Sequence, residues 1–317
     1  MPSKEVLRHV VDVHCHPTDA PLISHSSMES LDITICAMST MASDQQRVRD
    51  LAMAYPTKAA LSKDDHYRSL FLGTSPAKPE HVQAYQRLLN SLPEPTPLSD
   101  VLMKLRRNFE DLHQAMLGEV GLDRSFRVPF DYFASPRQLT PFVIPLDHQL
   151  AILEAQLDLA VELGRNVSFH SVRSQLCTAE LLQKMQQKYH DGWSRINVDI
   201  HSCGLSPETW RDIEKKHRNV FLSLSTVING RSSNHKALIA ICSPDRILVE
   251  SDFNDVDKCS ERTWDMIQSI AAVKGWHIEE EWMDNLEETD WGAVRKLEEN
   301  WCAFRRSRTA LTEVLLH

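Results

Sequence analysis

Glycine is scarce, 9 residues in a chain of 317. No glycine-rich turn follows the first apolar run. That speaks against a dinucleotide-binding or P-loop fold, both of which need glycines where the backbone approaches phosphate. An excess of positive charge is also missing. Lys and Arg number 35 against 44 Asp and Glu, a formal net charge of −9. No general attraction to nucleic acid or to an anionic membrane is therefore expected, and a nucleic-acid substrate would need a local positive site such as metal ions. No apolar segment is long enough to cross a bilayer, and the short apolar stretch near the N-terminus does not read as a signal peptide. The cysteines, 7 in number, are odd in count and lack paired spacing. This points to a reducing compartment, the cytosol or nucleus, without disulfides. Internal repeats and low-complexity linkers are not evident.

What the sequence does have is alternation. The runs "HVVDVH" (9–14), "LDITICAM" (31–38), "RSLFLGTSP" (68–76), "HQAMLGEVGLD" (113–123), "NVSFHS" (166–171), "INVDIHS" (196–202), "NVFLSLST" (219–226) and "RILVESD" (246–252) read as strands. Helical patterns lie between them. "SDQQRVRDLAMAYP" starts at Ser43 as a plausible N-cap and stops at Pro56. "PLDHQLAILEAQLDLAVELGR" is the clearest amphipathic helix, with Asp147 near its start and Gly164 at its end. "SPETWRDIEKKH" reads as a capped helix. About eight strands separated by helices imply a parallel sheet with helices outside. At this length the expected fold is α/β, a (β/α) TIM-type barrel forming a single domain over 1–317, with an open doubly wound sheet as the alternative. Residues 264–301 hold five of the seven tryptophans and many acids. They are expected to form C-terminal helices packed on the barrel, and the alternative is a surface for a protein partner.

The chemistry gathers at strand ends. Residues two apart on a strand point the same way, so Asp12, His14 and His16 are expected to share the inward face and Val11, Val13 and Cys15 the outward one. Two imidazoles so placed suit one borderline cation. His170 ends "NVSFH", His201 ends "NVDIH", Asp252 ends "LVESD" and Glu119 sits in "LGEVGLD". In a barrel those ends meet at one mouth. Gathering buried carboxylates and imidazoles there costs several kcal/mol each without partners, a cost that divalent cations offset.

These pieces together resemble the TatD-like metal-dependent hydrolases, the TatD deoxyribonuclease family, in a divergent fungal-type form. "VDVHCH", "GEVGLD", "VSFHS", "VDIHSCGLS" and "LVESD" occur in that family's order, and "LEENWCAF" is similar to its last helix. The resemblance implies a distorted TIM barrel that hydrolyses phosphodiesters with one or two divalent ions (zinc, magnesium or manganese). It implies that His14, His16 and Asp252 serve one ion, that His170 and His201 serve a second, and that Glu119 bridges them. It further implies a metal-activated water whose proton Asp252 takes. Asp12, Asp199 and Glu250 share faces with these residues and are candidates for orienting them.

The match is loose elsewhere. Where the family has a histidine before proline on the third strand, Ser75 precedes Pro76. The slot after the fifth-strand histidine that often holds arginine is Val172, and "SDFNDV" lacks the usual proline. Arg124 and Arg127 could supply phosphate contacts instead. The expected substrate is DNA or a smaller phosphodiester, with no membrane association. The alternatives are an amidohydrolase acting on a C–N or ester bond, and a scaffold that keeps the metal site without turnover.

Overall fold

The computed structural model describes residues 2–15, 32–37, 63–73, 77–231 and 234–306. His16, Ser75, Pro76 and the helix expected from Ser43 to Pro56 lie outside them. A five-stranded parallel sheet forms the centre, in the order β3 (Leu117–Asp123), β6 (Val167–Val172), β7 (Val198–Ile200), β8 (Val220–Leu224) and β9 (Ile247–Val249). β1 (Val11–Cys15) and β2 (Thr34–Ala37) form a second parallel pair. The end of β9 joins β1 through the chain that follows it. The Asp252 N–H donates to the His14 carbonyl at 3.0 Å, and the Ser251 N–H donates to Asp12 Oδ1 at 2.9 Å. Parallel strands linked by helices curve around an interior in this way in a TIM-type barrel.

Two apolar layers separate the faces of this sheet. Val198, Ile200, Val220, Leu222, Leu224, Ile247 and Val249 belong to the large core beneath the helices. The alternate residues Phe221 and Leu248 instead join Val13 and Phe304 in a small interior cluster. Polar residues continue that inner face toward the C-terminal strand ends: Ser168, Asp199, Ser223 and Glu250 are all buried.

The helices follow from the sequence, with α1 (Lys4–Leu7) before β1 and α4 (Leu98–Asp111) before β3. α5 (Leu146–Leu163) carries Asp147 in its first turn and ends on Gly164 at φ 63°, a left-handed cap that glycine adopts without strain. α6 spans Gln175–Tyr189. α7 (Pro207–Lys216) starts on Ser206, whose side chain accepts the Thr209 N–H. α8 (His235–Ile241) and α9 (Val256–Lys274) follow, and α10 (Ala293–Arg305) closes the N-terminal end of the barrel. Asn166 and Asn197, each just before a strand, donate to the Phe304 carbonyl at 2.7 Å, and Asn300 donates to the Ile247 carbonyl at 2.8 Å. Trp264 is buried, and Trp276, Trp282 and Trp301 are half-buried against the two cores. Four of the five tail tryptophans thus contribute to the two cores. No helix among the described residues is long and apolar enough to cross a membrane.

Three expectations are corrected. "RSLFLGTSP" is not a strand: Arg68–Leu72 lies in α2 (Lys63–Leu72). Tyr67 and Phe71, four apart, pack with Tyr85 of α3 (Pro79–Leu89) and Phe142, while Asp64 and Arg68 pair across one turn. Secondly, β3 is followed by an antiparallel hairpin, β4 (Arg127–Pro129) and β5 (Leu139–Val143), which the periodicity did not reveal. Thirdly, the faces of β1 are not those expected. Val11 and Val13 join the interior cluster, and Asp12 and Cys15 lie together near Cys259 of α9. A register shift between Asp12 and Cys15 turns His14 inward next to Val13.

Candidate metal centre

The C-terminal ends of β1, β6, β7 and β9, with Glu119 from the third position of β3, bring five of the six expected ligands to one place. His14 is wholly buried, and its ring stacks on that of His201 with centroids 3.7 Å apart and planes 4° from parallel. Its Nδ1 lies 2.8 Å from Ser168 Oγ, which leaves Nε2 facing Glu119 Oε2 at 3.9 Å. Glu119 Oε1 lies 2.5 Å from His170 Nδ1 and 2.8 Å from His201 Nε2. Those two nitrogens are themselves 2.9 Å apart. Asp252 Oδ2 accepts the Ser202 hydroxyl at 2.8 Å. Asp252 (φ 49°), Ser202 (φ 42°) and Arg173 (φ 52°) all hold left-handed backbone just beyond strand ends. Non-glycine residues in that region store strain, which clusters at functional sites.

One glycine makes the close approach possible. A Cβ on Gly121 would sit 2.0 Å from the His170 carbonyl oxygen. Only a bare backbone lets β3 come near enough for Glu119 to reach both His170 and His201.

A network of acids and hydroxyls lies beneath. Glu250 Oε1 accepts the Ser202 N–H and is 2.6 Å from the Ser202 hydroxyl, and Oε2 accepts the Ser223 hydroxyl at 2.6 Å. Ser223 Oγ also lies 2.7 Å from Asp199 Oδ2. Burial pushes Asp199 up to about 7, and burial together with the charges of Asp252 and Asp199 holds Glu250 well above the ordinary carboxylate range. Asp12, one face away, is likewise raised to about 7 by burial. It accepts the N–H groups of His14 and Ser251 at 3.1 and 2.9 Å and the Ser251 hydroxyl. Asp12 thus fixes the backbone of His14 and does not touch its ring, a different role from the one its spacing suggested.

The mouth itself is strongly polarised. Burial raises the Glu119 carboxyl, but hydrogen bonds from His170 and His201 outweigh it and leave the group well below its ordinary range. Burial opposes charge on His170, and its contacts with Asp123 and Glu119 still raise it to about 9. Burial raises Asp123, but His170, 4.0 Å away, and hydrogen bonds from Ser125 and Phe126 outweigh it and lower the group to about 2. Asp123, Ser168, Ser202 and Ser223 were missed in the sequence. Only Asp123 carried a signal, being four residues beyond Glu119 on the same strand.

The donor set fits divalent cations. His14, Glu119 and His201 form one group, and His201, Glu250 and Asp252 another, with the potential ligand atoms of each within 4.8 Å of one another. His201 Nδ1 is buried without a hydrogen-bond partner and faces Glu250 Oε1 at 4.0 Å. A cation between carboxylates and neutral imidazoles satisfies such an atom. Arg124 and Arg127 lie outside this cluster, exposed at the base of the β4–β5 hairpin.

An α/β barrel with imidazoles and carboxylates gathered at its C-terminal mouth defines a metal-dependent hydrolase. The chain belongs to the family described as TatD related DNase, which matches residues 11–287. It is 28% identical over 323 residues to the Cut9-interacting protein scn1 of Schizosaccharomyces pombe, covering 86% of this chain and 95% of that one. It is 27% identical over 276 residues to the uncharacterized deoxyribonuclease YMR262W of Saccharomyces cerevisiae, covering 78% and 84%. In fold it is similar to the crystal structure of YJJV, a TatD homolog from Escherichia coli. The TM-score is 0.54 at 18% identity, over 94% of this chain and 98% of the other.

Proposed function

We propose that this chain is a divalent-metal-dependent phosphodiesterase that cleaves DNA. The observation that carries this reading is the single carboxylate of Glu119 in contact with both His170 and His201, beside the stacked ring of His14. His14, Glu119, His170, His201 and Asp252 would hold the metal, with His16 joining them by its place in the HxH motif. A divalent ion there would lower the pKa of bound water and offset charge on the phosphate oxygens. Asp252, held by the Ser202 hydroxyl, accepts the proton of the attacking water. Ser168 fixes the His14 ring, and Asp123 orients His170. Glu250 and Asp199 hold the turn after β7 in place through Ser202 and Ser223.

The test is turnover of a single-stranded oligonucleotide and of a chromogenic phosphodiester, bis(p-nitrophenyl) phosphate, with Mg²⁺, Mn²⁺ and Zn²⁺ in turn. Turnover is expected with at least one ion, is abolished by chelation, and falls at least about a hundredfold in Glu119→Ala and Asp252→Ala. Absence of product from both substrates with every ion would overturn the reading.

A further inference from the structure

The chain leaves the metal centre along a short arm. Asp123, which approaches His170, accepts the N–H groups of Ser125 and Phe126 at 2.7 and 3.0 Å. The β4–β5 hairpin follows. Its inner face, Val128, Thr140 and Phe142, is buried, with Val128 and Phe142 packed against Tyr85 and Leu88 of α3. Its outer face carries Arg127 opposite Val143, and Leu139, paired with the buried Pro129, is exposed beside them. Among the described residues nine large apolar side chains are exposed, and four of them, Phe126, Phe133, Leu139 and Val143, sit on this arm. Phe133, at the tip, is 77% exposed.

Charge on the arm runs against that of the whole chain. Between 124 and 143 stand Arg124, Arg127 and Arg137 with one acid, Asp131, in a protein of net charge −9. Asp131 is committed to the Phe133 N–H at 2.9 Å. The Arg137 guanidinium lies over the Tyr132 ring, 4.2 Å from its centroid, while Nε donates to the Tyr132 carbonyl at 2.7 Å. Tyr132 and Phe133 meet edge to face with centroids 5.6 Å apart. The tip is therefore a preformed cluster of two aromatic rings and a guanidinium group.

We propose that this arm is a stacking platform for a single strand of nucleic acid, which it leads toward the metal centre. Exposed aromatics interleaved with arginines match alternating bases and phosphates. A duplex hides its base faces, whereas an unpaired strand offers them to Phe126 and Phe133. The local excess of positive charge in a chain of net charge −9 favours an anionic strand over a protein partner. The direction of the strand rests on the phosphodiesterase reading, whereas binding to the arm does not.

The experiment measures anisotropy of fluorescein-labelled dT20 with EDTA present, so that binding is read without turnover. Turnover of bis(p-nitrophenyl) phosphate with metal is measured on the same samples. Phe126→Ala/Phe133→Ala is expected to weaken dT20 binding by about tenfold or more and to leave turnover of the small ester within about twofold. Phe133→Ala alone, at the most exposed position, should weaken binding about fivefold with no change in thermal stability. Arg127→Ala/Arg137→Ala should lower the slope of log Kd against log salt by about 1.4. Unchanged dT20 affinity in these variants would overturn the proposal and leave the face to a protein partner. Equally tight binding of a duplex by the wild-type chain would overturn it too. A wild-type chain that turns over the small ester but fails to bind dT20 sinks the platform alone. One that binds dT20 through the arm but cleaves neither substrate sinks only the phosphodiesterase reading.

Discussion

Gly121→Ala tests the geometry of the centre without replacing a ligand. Gly121 and His170 are direct partners in the β3–β6 ladder. A methyl group at 121 would sit 2.0 Å from the His170 carbonyl oxygen and 2.6 and 2.7 Å from its carbonyl carbon and Cα, where ordinary contact begins at 3.4 Å. All three atoms are backbone, so no rotamer relieves the clash and the strands must part by more than about 1 Å. Overpacking of this kind costs about 1–3 kcal/mol, and a backbone clash belongs at the upper end. At about 1.5 °C per kcal/mol for a chain of this size, Tm should fall by roughly 4–5 °C. The same movement pulls His170 from Glu119, so metal affinity and turnover should fall about a hundredfold in the fraction that remains folded. Differential scanning fluorimetry and competition against a metal-binding dye read the two effects separately. Gly204→Ala is the control, because a Cβ there meets nothing within 4 Å, and its Tm should stay within about 2 °C of wild type. The reasoning is refuted by a Gly121→Ala protein with wild-type Tm and wild-type metal affinity.

Two further perturbations address positioning and pH. Ser202 combines a strained backbone, φ 42°, with a hydroxyl on Asp252. Ser202→Gly should relieve the strain and Ser202→Ala should not, yet both remove the hydroxyl. Both should therefore lose about tenfold in kcat with little change in KM, even as their Tm values move apart, and full activity in Ser202→Gly would refute a role for the hydroxyl. His217, buried beside α7, is lowered to about 4 by burial and, secondarily, by Lys216. Its folded pKa lies below its unfolded value of about 6.5, so the unfolded chain binds the extra proton. Its neutral-state stabilisation is complete above about pH 6.5 and is lost as pH falls toward 4. Tm should drop across that window in wild type and drop less in His217→Gln, and parallel pH profiles would show that His217 is not responsible.

The strand ends were legible because a parallel barrel lays them on one rim whatever the details of each strand. His170, His201 and Asp252 could therefore be grouped without knowing a single contact, whereas Glu119 stands third in β3 and was joined to them through its motif. Face assignment was less secure, because it assumes an unbroken period of two. The register shift between Asp12 and Cys15 defeats it. His14 stays with the metal residues, Val13 joins Phe221 inside, and Asp12 turns to Ser251 and the His14 backbone. A bulge carries no composition signal in "VVDVHCH", so no reading of spacing alone could have moved Asp12. The stretch at Arg68–Leu72 failed for another reason. Its apolar residues are too close together to distinguish a buried strand from a helix, and the choice is made by Tyr85 and Phe142, which lie outside it. Ser202 illustrates the limit most sharply. Left-handed backbone is usually announced by glycine or asparagine, and here a serine holds it because its N–H and hydroxyl both reach Glu250 and its hydroxyl also reaches Asp252. The acids stabilise the turn that positions them. That mutual dependence exists only in three dimensions, and it makes the residues around the metal ligands harder to read from sequence than the ligands themselves.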